Sequence, residues 1–304
     1  RGEWMDRGRM MMMRLSRRCS TFSSLEYAMW QLSAGAYAGG FGQLTSAASR
    51  PLLNAVGITG TSNKSEPRKP RLLDVATGPG YLAEVAGPEC ESVVAMDFAP
   101  EMVELAAKRT ADSPTVTVVR GDAQDMPFAG SSFDAVTCAF GVLHFESPPT
   151  FFQEARRCLR PGGRLSFSVW APPGPRSAFT IVNEAISAHG DSDAKLPSSD
   201  FTPPFFFYGD PYNASAAFGE AGFDPSTVRS IELPLVFTLR EPDDLFVMFA
   251  TGSGRTRALL ELQSAEAREA IRSAMTIAMN DYLAADGEGY DVPAVAIVHS
   301  AATL

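Results

Sequence analysis

Between residues 71 and 170 the sequence alternates short apolar segments with segments of helical pattern. The apolar segments predict five strands, at residues 71–76, 92–97, 115–119, 133–139 and 165–170. The segments between them predict helices, at residues 81–86, 100–109 and 149–159. Strands that alternate with helices are joined by right-handed crossovers and pair mostly in parallel. The alternation therefore predicts a doubly wound α/β fold, in which a ligand binds at the carboxyl ends of the strands.

The flanking regions contain further predicted elements. Residues 25–37 and 44–56 have helical patterns, and residues 228–239 and 292–298 predict two more strands. The last 130 residues are otherwise a less regular mixture of proline-rich segments and helical segments, which include a predicted helix over residues 255–285. We therefore expect a Rossmann-like, mostly parallel sheet of seven strands with an N-terminal helical cap and helical insertions.

The length of 304 residues fits one large domain or two small ones. We expect residues 25–304 to form one domain, with a cofactor-binding core at residues 70–170. Cap and substrate-binding elements are expected at residues 25–60 and 178–290.

The composition indicates which classes of binding partner suit this chain. The net charge is −9, which argues against a groove for nucleic-acid phosphates and favours a small-molecule partner. No run of about 18 apolar residues occurs, so no transmembrane helix is predicted. The four cysteines, none in C-x-x-C spacing, predict neither a zinc site nor a disulfide framework, and they suit a reducing compartment. The oligomeric state is left open.

The first stretch of the chain differs from the rest. Residues 7–25 are rich in arginine and serine and contain no acidic residue. Apolar side chains recur there at helical spacing, as in an amphipathic presequence. Transit peptides have this composition. One hypothesis is that residues 1–24 direct the protein to a mitochondrion or plastid. The other is an unstructured start ahead of the true first codon, with a cytoplasmic protein.

The segment with the clearest chemistry is residues 72–83, where a strand runs into a glycine-rich turn that opens a helix. Glycines at 78 and 80 let the backbone approach a ligand closely, and the helix N-terminus favours an anionic group. Asp97 lies at the end of the next strand, where a carboxylate can bind a ribose diol. With Ala83, the glycines also satisfy the dinucleotide fingerprint, so two classes of cofactor remain at this point.

Two acidic positions separate these classes. Asp74 lies at the end of the first strand, where a carboxylate would repel a dinucleotide pyrophosphate but suit a ligand with an ammonium group. The third strand is followed by Gly121, Asp122 and Ala123, and an acid with the next backbone N–H can recognise the edge of an adenine ring. S-adenosylmethionine carries an ammonium, a sulfonium and a ribose diol, and it carries no phosphate.

Together these segments resemble the class I S-adenosylmethionine-dependent methyltransferases, and most closely the group with quinone-biosynthesis C-methyltransferases and many small-molecule methyltransferases. The matching blocks, in the family's order, are residues 74–80, 97–102, 121–128, 133–144 and 159–165. The resemblance covers residues 72–170 and says little about the rest. One departure is Ala76, where the family often has glycine. We expect an ordinary backbone conformation at this alanine.

The resemblance implies S-adenosylmethionine as the cofactor and assigns it a set of binding residues. These are Asp74, Ala76, Gly78, Gly80, Asp97, Phe98, Met102, Asp122, Ala123 and Phe140. The glycines line the methionine part, Asp74 lies near the ammonium, and Asp97 binds the ribose hydroxyls. The adenine ring is packed by Phe98 and Met102.

The remaining roles lie on the next two loops. Asp122 and Ala123 recognise the adenine edge, and Phe140 forms a wall near the sulfonium. His144 is a candidate general base after the fourth strand, although a structural role in the loop is the favoured alternative. No catalytic residue is assigned, because displacement at a sulfonium needs a base only when the acceptor must lose a proton.

Candidate acceptor-binding residues are aromatic and lie outside the matching blocks. They are Tyr37 and Phe41 in the N-terminal helices and Phe205 and Phe206 in a proline-rich insertion, with His144 as the polar member. Aromatic side chains dominate pockets for apolar ligands, and they equally fill cores.

The expected function is transfer of a methyl group from S-adenosylmethionine to a small-molecule acceptor by in-line displacement. The first alternative is an NAD(P)-dependent oxidoreductase, which Asp74 and Asp122 disfavour. The second is a non-catalytic subunit that keeps the fold and activates a partner, which the intact glycine turn disfavours. The sequence does not identify the acceptor or the atom that is methylated.

Overall fold

The computed structural model describes residues 21–60 and 68–304, and seven strands within them form one sheet. The strands are β1 (Arg71–Val75), β2 (Ser92–Asp97), β3 (Val116–Arg120), β4 (Phe133–Ala139), β5 (Leu159–Trp170), β6 (Arg229–Leu239) and β7 (Tyr290–Ala302). Their order across the sheet is β3-β2-β1-β4-β5-β7-β6. Strands β1 to β5 pair in parallel, and β7 runs antiparallel to β5. The prediction of a mostly parallel seven-stranded α/β sheet is confirmed.

Helices connect and flank these strands. Those in the described part of the chain are α1 (Phe22–Gly39), α2 (Phe41–Thr45), α3 (Ser49–Ala55), α4 (Tyr81–Ala86), α5 (Pro100–Arg109), α6 (Pro148–Cys158), α7 (Ala178–His189), α8 (Pro211–Glu220), α9 (Asp244–Gly252), α10 (Gly254–Glu261) and α11 (Ala265–Ala278). Helices α4, α5 and α6 each join two parallel strands, which is the connection that the sequence predicts. None of the helices in residues 21–60 and 68–304 is long and apolar enough to cross a bilayer.

The chain divides into two compact units. The first contains the described part of Arg1–Leu44 together with Pro173–Asp200 and Pro234–Ala294. The second contains Thr45–Pro172, Phe201–Leu233 and Val295–Leu304, and therefore holds β1 to β5 in full. That residues 25–304 act as one methyltransferase domain stays a prediction.

Strand β1 shows why the central strands form. Leu72, Leu73 and Val75 are fully buried, although neighbouring side chains in a strand point to opposite faces of the sheet. A parallel strand covered on both faces is apolar at successive positions rather than at alternate ones. Asp74 interrupts this apolar run, and the register places it beside Thr137 of β4. The one carboxylate of β1 therefore lies inside the sheet, near the end of the strand.

Helix α5 is fixed by residues at both of its ends. Pro100 occupies the first turn, where a missing N–H costs nothing, and Glu101 lies in the same turn. Lys108 and Arg109 lie in the last turn, so the charged side chains at both ends interact favourably with the helix dipole. Met102 is buried on the apolar face of this helix.

In the first unit, α1 packs against α9 and α10. Glu26 of α1 is almost completely buried, and its Oε1 lies 2.6 Å from Nε of Arg255 in α10. A buried carboxylate requires such a partner, because removing the partner would leave an uncompensated charge. The ring of Phe41 lies 5.0 Å, between centroids, from that of Phe249.

Two boundaries differ from the prediction. Strand β5 begins at Leu159 rather than at 165, because Leu159 pairs with Phe133 before the ladder shifts register at the glycines that follow. The helix predicted over residues 255–285 is two helices. Helix α10 ends at Glu261, and Ser264 is the N-cap of helix α11. The hydroxyl of Ser264 accepts a hydrogen bond from the N–H of Ala267 at 3.1 Å.

Candidate functional site

The glycine turn, residues 76–80, connects β1 to α4. The N–H of Gly80 donates to the carbonyl of Thr77 at 3.0 Å, and the N–H of Thr77 donates to the carbonyl of Met96 at 3.0 Å. Gly78 and Gly80 have φ values of 54° and 85°, in the left-handed region that glycine adopts without steric cost. The turn is therefore fixed both by its own hydrogen bonds and by the end of β2.

The two glycines serve different purposes. A Cβ at Gly80 would lie 3.0 Å from the Cα of Ala106, so this glycine lets α4 approach α5. A Cβ at Gly78 would meet no atom within 4 Å. Gly78 therefore leaves open space over the turn, and an added side chain would project into that space.

Asp97 joins the end of β2 to this turn. It is 6% exposed, and its carboxylate accepts hydrogen bonds from the N–H groups of Gly78 at 2.9 Å and Ala99 at 3.0 Å. Burial raises the pKa of this carboxyl to about 6, and the hydrogen bonds from Ala99 and Gly78 oppose that rise. A carboxylate in this position can accept further hydrogen bonds from hydroxyl groups, as the ribose role requires.

Asp74 is buried more deeply than Asp97. Its two carboxylate oxygens accept hydrogen bonds from the hydroxyls of Thr77 at 2.6 Å and Thr137 at 2.8 Å. Burial raises its pKa to about 7, while the two hydroxyls act in the opposite direction. Asp74 thus links β1, the glycine turn and β4. Its predicted role near an ammonium group stays a prediction.

Of the residues predicted to surround adenine, Phe98 directly follows β2, Met102 lies in α5, and Asp122 and Ala123 follow β3. Met102 and Ala123 are buried, Phe98 is half-buried, and Asp122 is exposed. The N–H of Gly121 donates to the carbonyl of Asp97 at 3.0 Å, which attaches the loop after β3 to the end of β2. Phe98, Asp122 and Ala123 therefore lie at the carboxyl ends of two adjacent parallel strands. The role of all four residues around adenine stays a prediction.

The expectation of an ordinary backbone at Ala76 is wrong. Its φ is 53°, in the left-handed region, although it carries a side chain. The chain must turn sharply between the last residue of β1 and Thr77, whose N–H is held by β2. The sequence contained the signal, since related chains often have glycine at this position. The conformation costs an alanine about 1–2 kcal/mol relative to a right-handed one.

The end of β4 carries a second non-glycine residue in this conformation. Phe140 has a φ of 54°, and its N–H donates to the carbonyl of Ser168 at 3.0 Å. Its ring lies 4.5 Å from that of Trp170, between centroids, with the planes tilted by 37°. The sequence reasoning did not single out Trp170. The available signal was its position as the last residue of a strand that neighbours β4.

The structure brings His144 and the proline-rich insertion together. The rings of His144 and Phe205 lie 6.4 Å apart and edge to face, and Phe205 packs against Phe206 at 4.9 Å. The hydroxyl of Thr202 donates to the carbonyl of Glu146 at 3.0 Å. The insertion is therefore fastened to the loop that follows β4.

Tyr37 and Phe41 belong to the first unit. The ring of Tyr37 packs edge to face on Trp30 at 5.2 Å, and Phe41 is buried among other phenylalanines. Their predicted role in acceptor binding stays a prediction.

The residues of the turn fit S-adenosylmethionine. Asp74 and Asp97 place two carboxylates beside the turn. The guanidinium of Arg109 also reaches the turn, but its Nε donates to the carbonyl of Pro79 at 2.9 Å. The space above Gly78 admits a ligand against the backbone, and Asp97 supplies the acceptor for a diol. This set of groups suits a cationic, hydroxyl-bearing ligand rather than a pyrophosphate.

Known proteins share this segment. The sequence model of the methyltransferase domain family matches residues 73–167. The chain is 36% identical over 133 residues to a demethylmenaquinone methyltransferase of Clavibacter sepedonicus, covering 43% of this chain and 53% of that protein. A demethylmenaquinone methyltransferase of Thermus thermophilus is 41% identical over 116 residues, which are 37% of this chain and 52% of that protein. The chain thus spans about half the length of the curated relatives it matches.

Solved structures share the fold at lower identity. An N-methyltransferase of Haemonchus contortus in complex with S-adenosylhomocysteine is 16% identical with a TM-score of 0.52, covering 93% of this chain and 60% of that one. The cyclase SpnF is 16% identical with a TM-score of 0.51, covering 93% and 97%. One of these two proteins is named as a cyclase, so the shared fold alone does not specify methyl transfer. Residues 73–167 thus match the methyltransferase domain family, within a fold that these solved structures share.

Proposed function

We propose that this chain is an S-adenosylmethionine-dependent methyltransferase that acts on a small organic acceptor. The observation that carries the proposal is the pairing of the Asp97 carboxylate with the N–H of Gly78 at an open, left-handed turn. That pairing lies within the segment that matches the methyltransferase domain. The open face of Gly78 admits the ligand, and Asp97 provides the hydroxyl acceptor beside it.

The roles of the residues follow from this arrangement. When bound, S-adenosylmethionine supplies a methyl group on a positively charged sulfur, from which it is readily displaced. Asp97 binds and orients the ribose, and Phe98 and Met102 offer apolar surface to the base. Phe140 and Trp170 form an aromatic wall at the ends of β4 and β5, which keeps water from the adjacent space. Alignment of this kind can contribute about 7–11 kcal/mol to lowering a barrier.

An acceptor with a flat apolar part suits the residues near the ends of β4 and β5. Phe140, Trp170 and Phe205 contribute aromatic rings, and His144 is the titratable side chain among them. The relatives that match the cofactor segment are named for a demethylmenaquinone acceptor. Their match spans about half of each protein, so the specific acceptor of this chain is a matter for experiment. His144 would act as a base only for an acceptor that loses a proton.

Calorimetry with the full chain tests the cofactor. We expect S-adenosylmethionine and S-adenosylhomocysteine to bind and NAD not to bind. Transfer of a labelled methyl group to a panel of phenols, quinols, amines and thiols, with reduced demethylmenaquinone included, then identifies the acceptor. The Asp97→Ala variant is the matched control, since label transfer should fall with cofactor affinity. Binding of NAD without any response to S-adenosylmethionine would overturn the proposal.

We also propose that residues 1–24 are an organellar presequence. The support is their arginine- and serine-rich composition. Residues 1–20 of this segment lie outside the part of the chain that the structure describes. A fusion of residues 1–40 to a fluorescent reporter should enter a mitochondrion or plastid. The same fusion with the arginines at 7, 9, 14, 17 and 18 changed to glutamine should stay in the cytosol. A diffuse signal from the unaltered fusion would instead support an unstructured start.

A further inference from the structure

Gly141 is a glycine for a reason that its backbone does not explain. Its φ and ψ are −83° and −38°, a conformation that any residue adopts. A Cβ at this position would nevertheless lie 2.6 Å from the Cβ of Ala76 and 2.7 Å from the Sγ of Cys138. Carbon atoms of unbonded residues do not approach so closely. Glycine is therefore required at 141 by the Ala76 methyl group and the Cys138 thiol.

The residue on the other side of this contact is the strained one. Ala76 holds the left-handed conformation at the start of the glycine turn, with a φ of 53°. A non-glycine residue persists in that conformation only where its surroundings determine it. Its methyl group is in contact with the backbone of the loop that follows β4. The loop and the turn therefore constrain each other directly.

Hydrogen bonds of Asp74 also join strand β1 to strand β4, close to the Ala76–Gly141 contact. Asp74 of β1 accepts hydrogen bonds from Thr77 in the turn and from Thr137 in β4, at 2.6 Å and 2.8 Å. The Cys138 sulfur of β4 lies against the other side of the loop, 2.7 Å from the position that a Cβ of Gly141 would occupy. The carboxyl ends of β1 and β4 are thus held together. Ala76 and Gly141 lie just beyond these two strand ends, where the turn and the loop begin.

The loop beyond Gly141 carries the candidate base. The carbonyl of Gly141 accepts a hydrogen bond from the N–H of His144 at 2.9 Å, which closes a short helical turn. Gly141 is preceded by Phe140, whose ring lies on Trp170. A displacement of Gly141 would therefore move the backbone that carries both Phe140 and His144.

We propose that Ala76 and Gly141 are a pair of positioning residues, whose contact transmits the conformation of the glycine turn to residues 140–144. A ligand seated on the turn fixes Ala76, and Ala76 fixes the loop that lines the acceptor side. The proposal rests on the proposed function, since it assigns the turn to the cofactor. Ordinary core packing would require glycine at 141 equally, but it would not make the loop respond to a ligand on the turn.

Amide hydrogen exchange of the full chain, with and without S-adenosylhomocysteine, separates these possibilities. In the unaltered protein we expect ligand to slow exchange at residues 77–80 and also at 141–145. In Ala76→Gly, which removes the methyl group, we expect protection at 77–80 to remain and protection at 141–145 to be lost. Loop protection that persists in Ala76→Gly would mean direct ligand contact and overturn the coupling. Absence of protection at the turn in the unaltered protein would instead refute the proposed function.

A set of paired variants tests the contact itself. We expect Gly141→Ala to weaken the affinity for S-adenosylhomocysteine about tenfold, the scale of overpacking by one methyl group. Adding Ala76→Gly should restore most of that affinity, whereas adding Cys138→Ala should restore stability more than affinity. Restoration by Cys138→Ala alone would show that the close approach is core packing and overturn the proposal.

The control for this set is Gly219→Ala in α8, where a new Cβ would meet no atom within 4 Å. It should leave the affinity for S-adenosylhomocysteine unchanged. Thermal unfolding of each variant shows which of them are folded. If Gly141→Ala does not fold, the exchange measurement on Ala76→Gly decides the question, because that variant only removes a methyl group from a strained position.

Discussion

The glycine turn and the aromatic residues at the ends of β4 and β5 lie at the same edge of one sheet and are built differently. The turn is held by polar contacts, in which Asp97 accepts from Gly78, and Asp74 accepts from Thr77 and from the more distant Thr137 of β4. The aromatic residues are held by ring contacts between distant segments, such as Phe140 with Trp170 and His144 with Phe205.

This difference explains why the glycine turn is easier to recognise in a sequence than the aromatic residues are. A polar cofactor is recognised by groups that must lie at fixed positions at the ends of successive strands, so short motifs in the sequence contain many of them. An apolar acceptor is recognised by area and shape, which rings from any segment can supply. The same fold can therefore keep its turn while the aromatic side varies.

The largest expected effect comes from the aromatic side. Replacing both Phe205 and Phe206 with Ala should lower turnover about a hundredfold, since misplacing an acceptor by about 1 Å costs that much. Cofactor affinity, measured by calorimetry, should stay within experimental error, because Phe205 packs on His144 and Phe206 in the loop after β4 and the insertion. Phe201→Ala, at a side chain that is 75% exposed, is the matched control. An equal loss of turnover and cofactor affinity would show that the aromatic residues and the glycine turn do not have separate roles.

A substitution beside the glycine turn should instead lower the affinity for the cofactor. Asp97→Ala removes the acceptor for the N–H groups of Gly78 and Ala99, and with it the proposed acceptor for the ribose hydroxyls. Cofactor affinity should fall by about 1.5–3 kcal/mol, or ten- to a hundredfold. Asp97→Asn keeps one acceptor oxygen and should lose less. Calorimetry on folded protein measures both variants, and an unchanged affinity in Asp97→Ala would remove this residue from the site.

The two glycines of the turn sharpen the comparison further. Gly80→Ala places a Cβ 3.0 Å from the backbone of Ala106 and should lower the free energy of unfolding by about 1–3 kcal/mol. Gly78→Ala meets no neighbour, so its loss of stability should be the smaller and its loss of cofactor affinity the larger. Denaturant unfolding and calorimetry on both variants measure the contrast. Wild-type affinity in Gly78→Ala would show that the space above it is not where the ligand lies.

The smallest expected effect is a dependence of stability on pH. Burial raises the pKa of Asp74 from its ordinary 3.8 to about 7, so the folded protein keeps a proton that the unfolded chain releases between these values. Stability from this group is therefore present at low pH and lost as the pH rises towards 7. Asp74→Asn removes the titration, so its stability relative to wild type should rise by about 1.4 kcal/mol or more between pH 4 and 8. Denaturant unfolding across this range measures it, and a constant difference would contradict the raised pKa.

His299 is a useful reference in that experiment, because its effect has the opposite sign. Burial lowers its pKa to about 4, so the unfolded chain takes up a proton that the folded protein does not. Its contribution is lost as the pH falls below about 6.5. Comparing Asp74→Asn with wild type at each pH cancels this term, since both proteins carry the histidine.

The sequence by itself determined the sheet and the turn. The alternation of apolar and helical segments predicted β1, β2, β4 and the helices between them to within a residue or two. It succeeded because burial on both faces imposes a continuous apolar pattern that local sequence must carry. The glycines and acids at the strand ends were equally readable, since parallel strands bring their carboxyl ends to one edge.

Only the tertiary structure decided what surrounds those motifs. His299 has no informative neighbours in the sequence, yet its ring nitrogens lie 2.8 Å from the hydroxyl of Ser230 and 2.9 Å from the carbonyl of Tyr208. Trp170 packs against the ring of Phe140, and the strained conformation of Ala76 depends on β2 and the loop after β4. Each depends on segments that meet only when the strands are ordered in the sheet. A local pattern specifies an element and its termini, and the packing of distant elements specifies which side chains face one another.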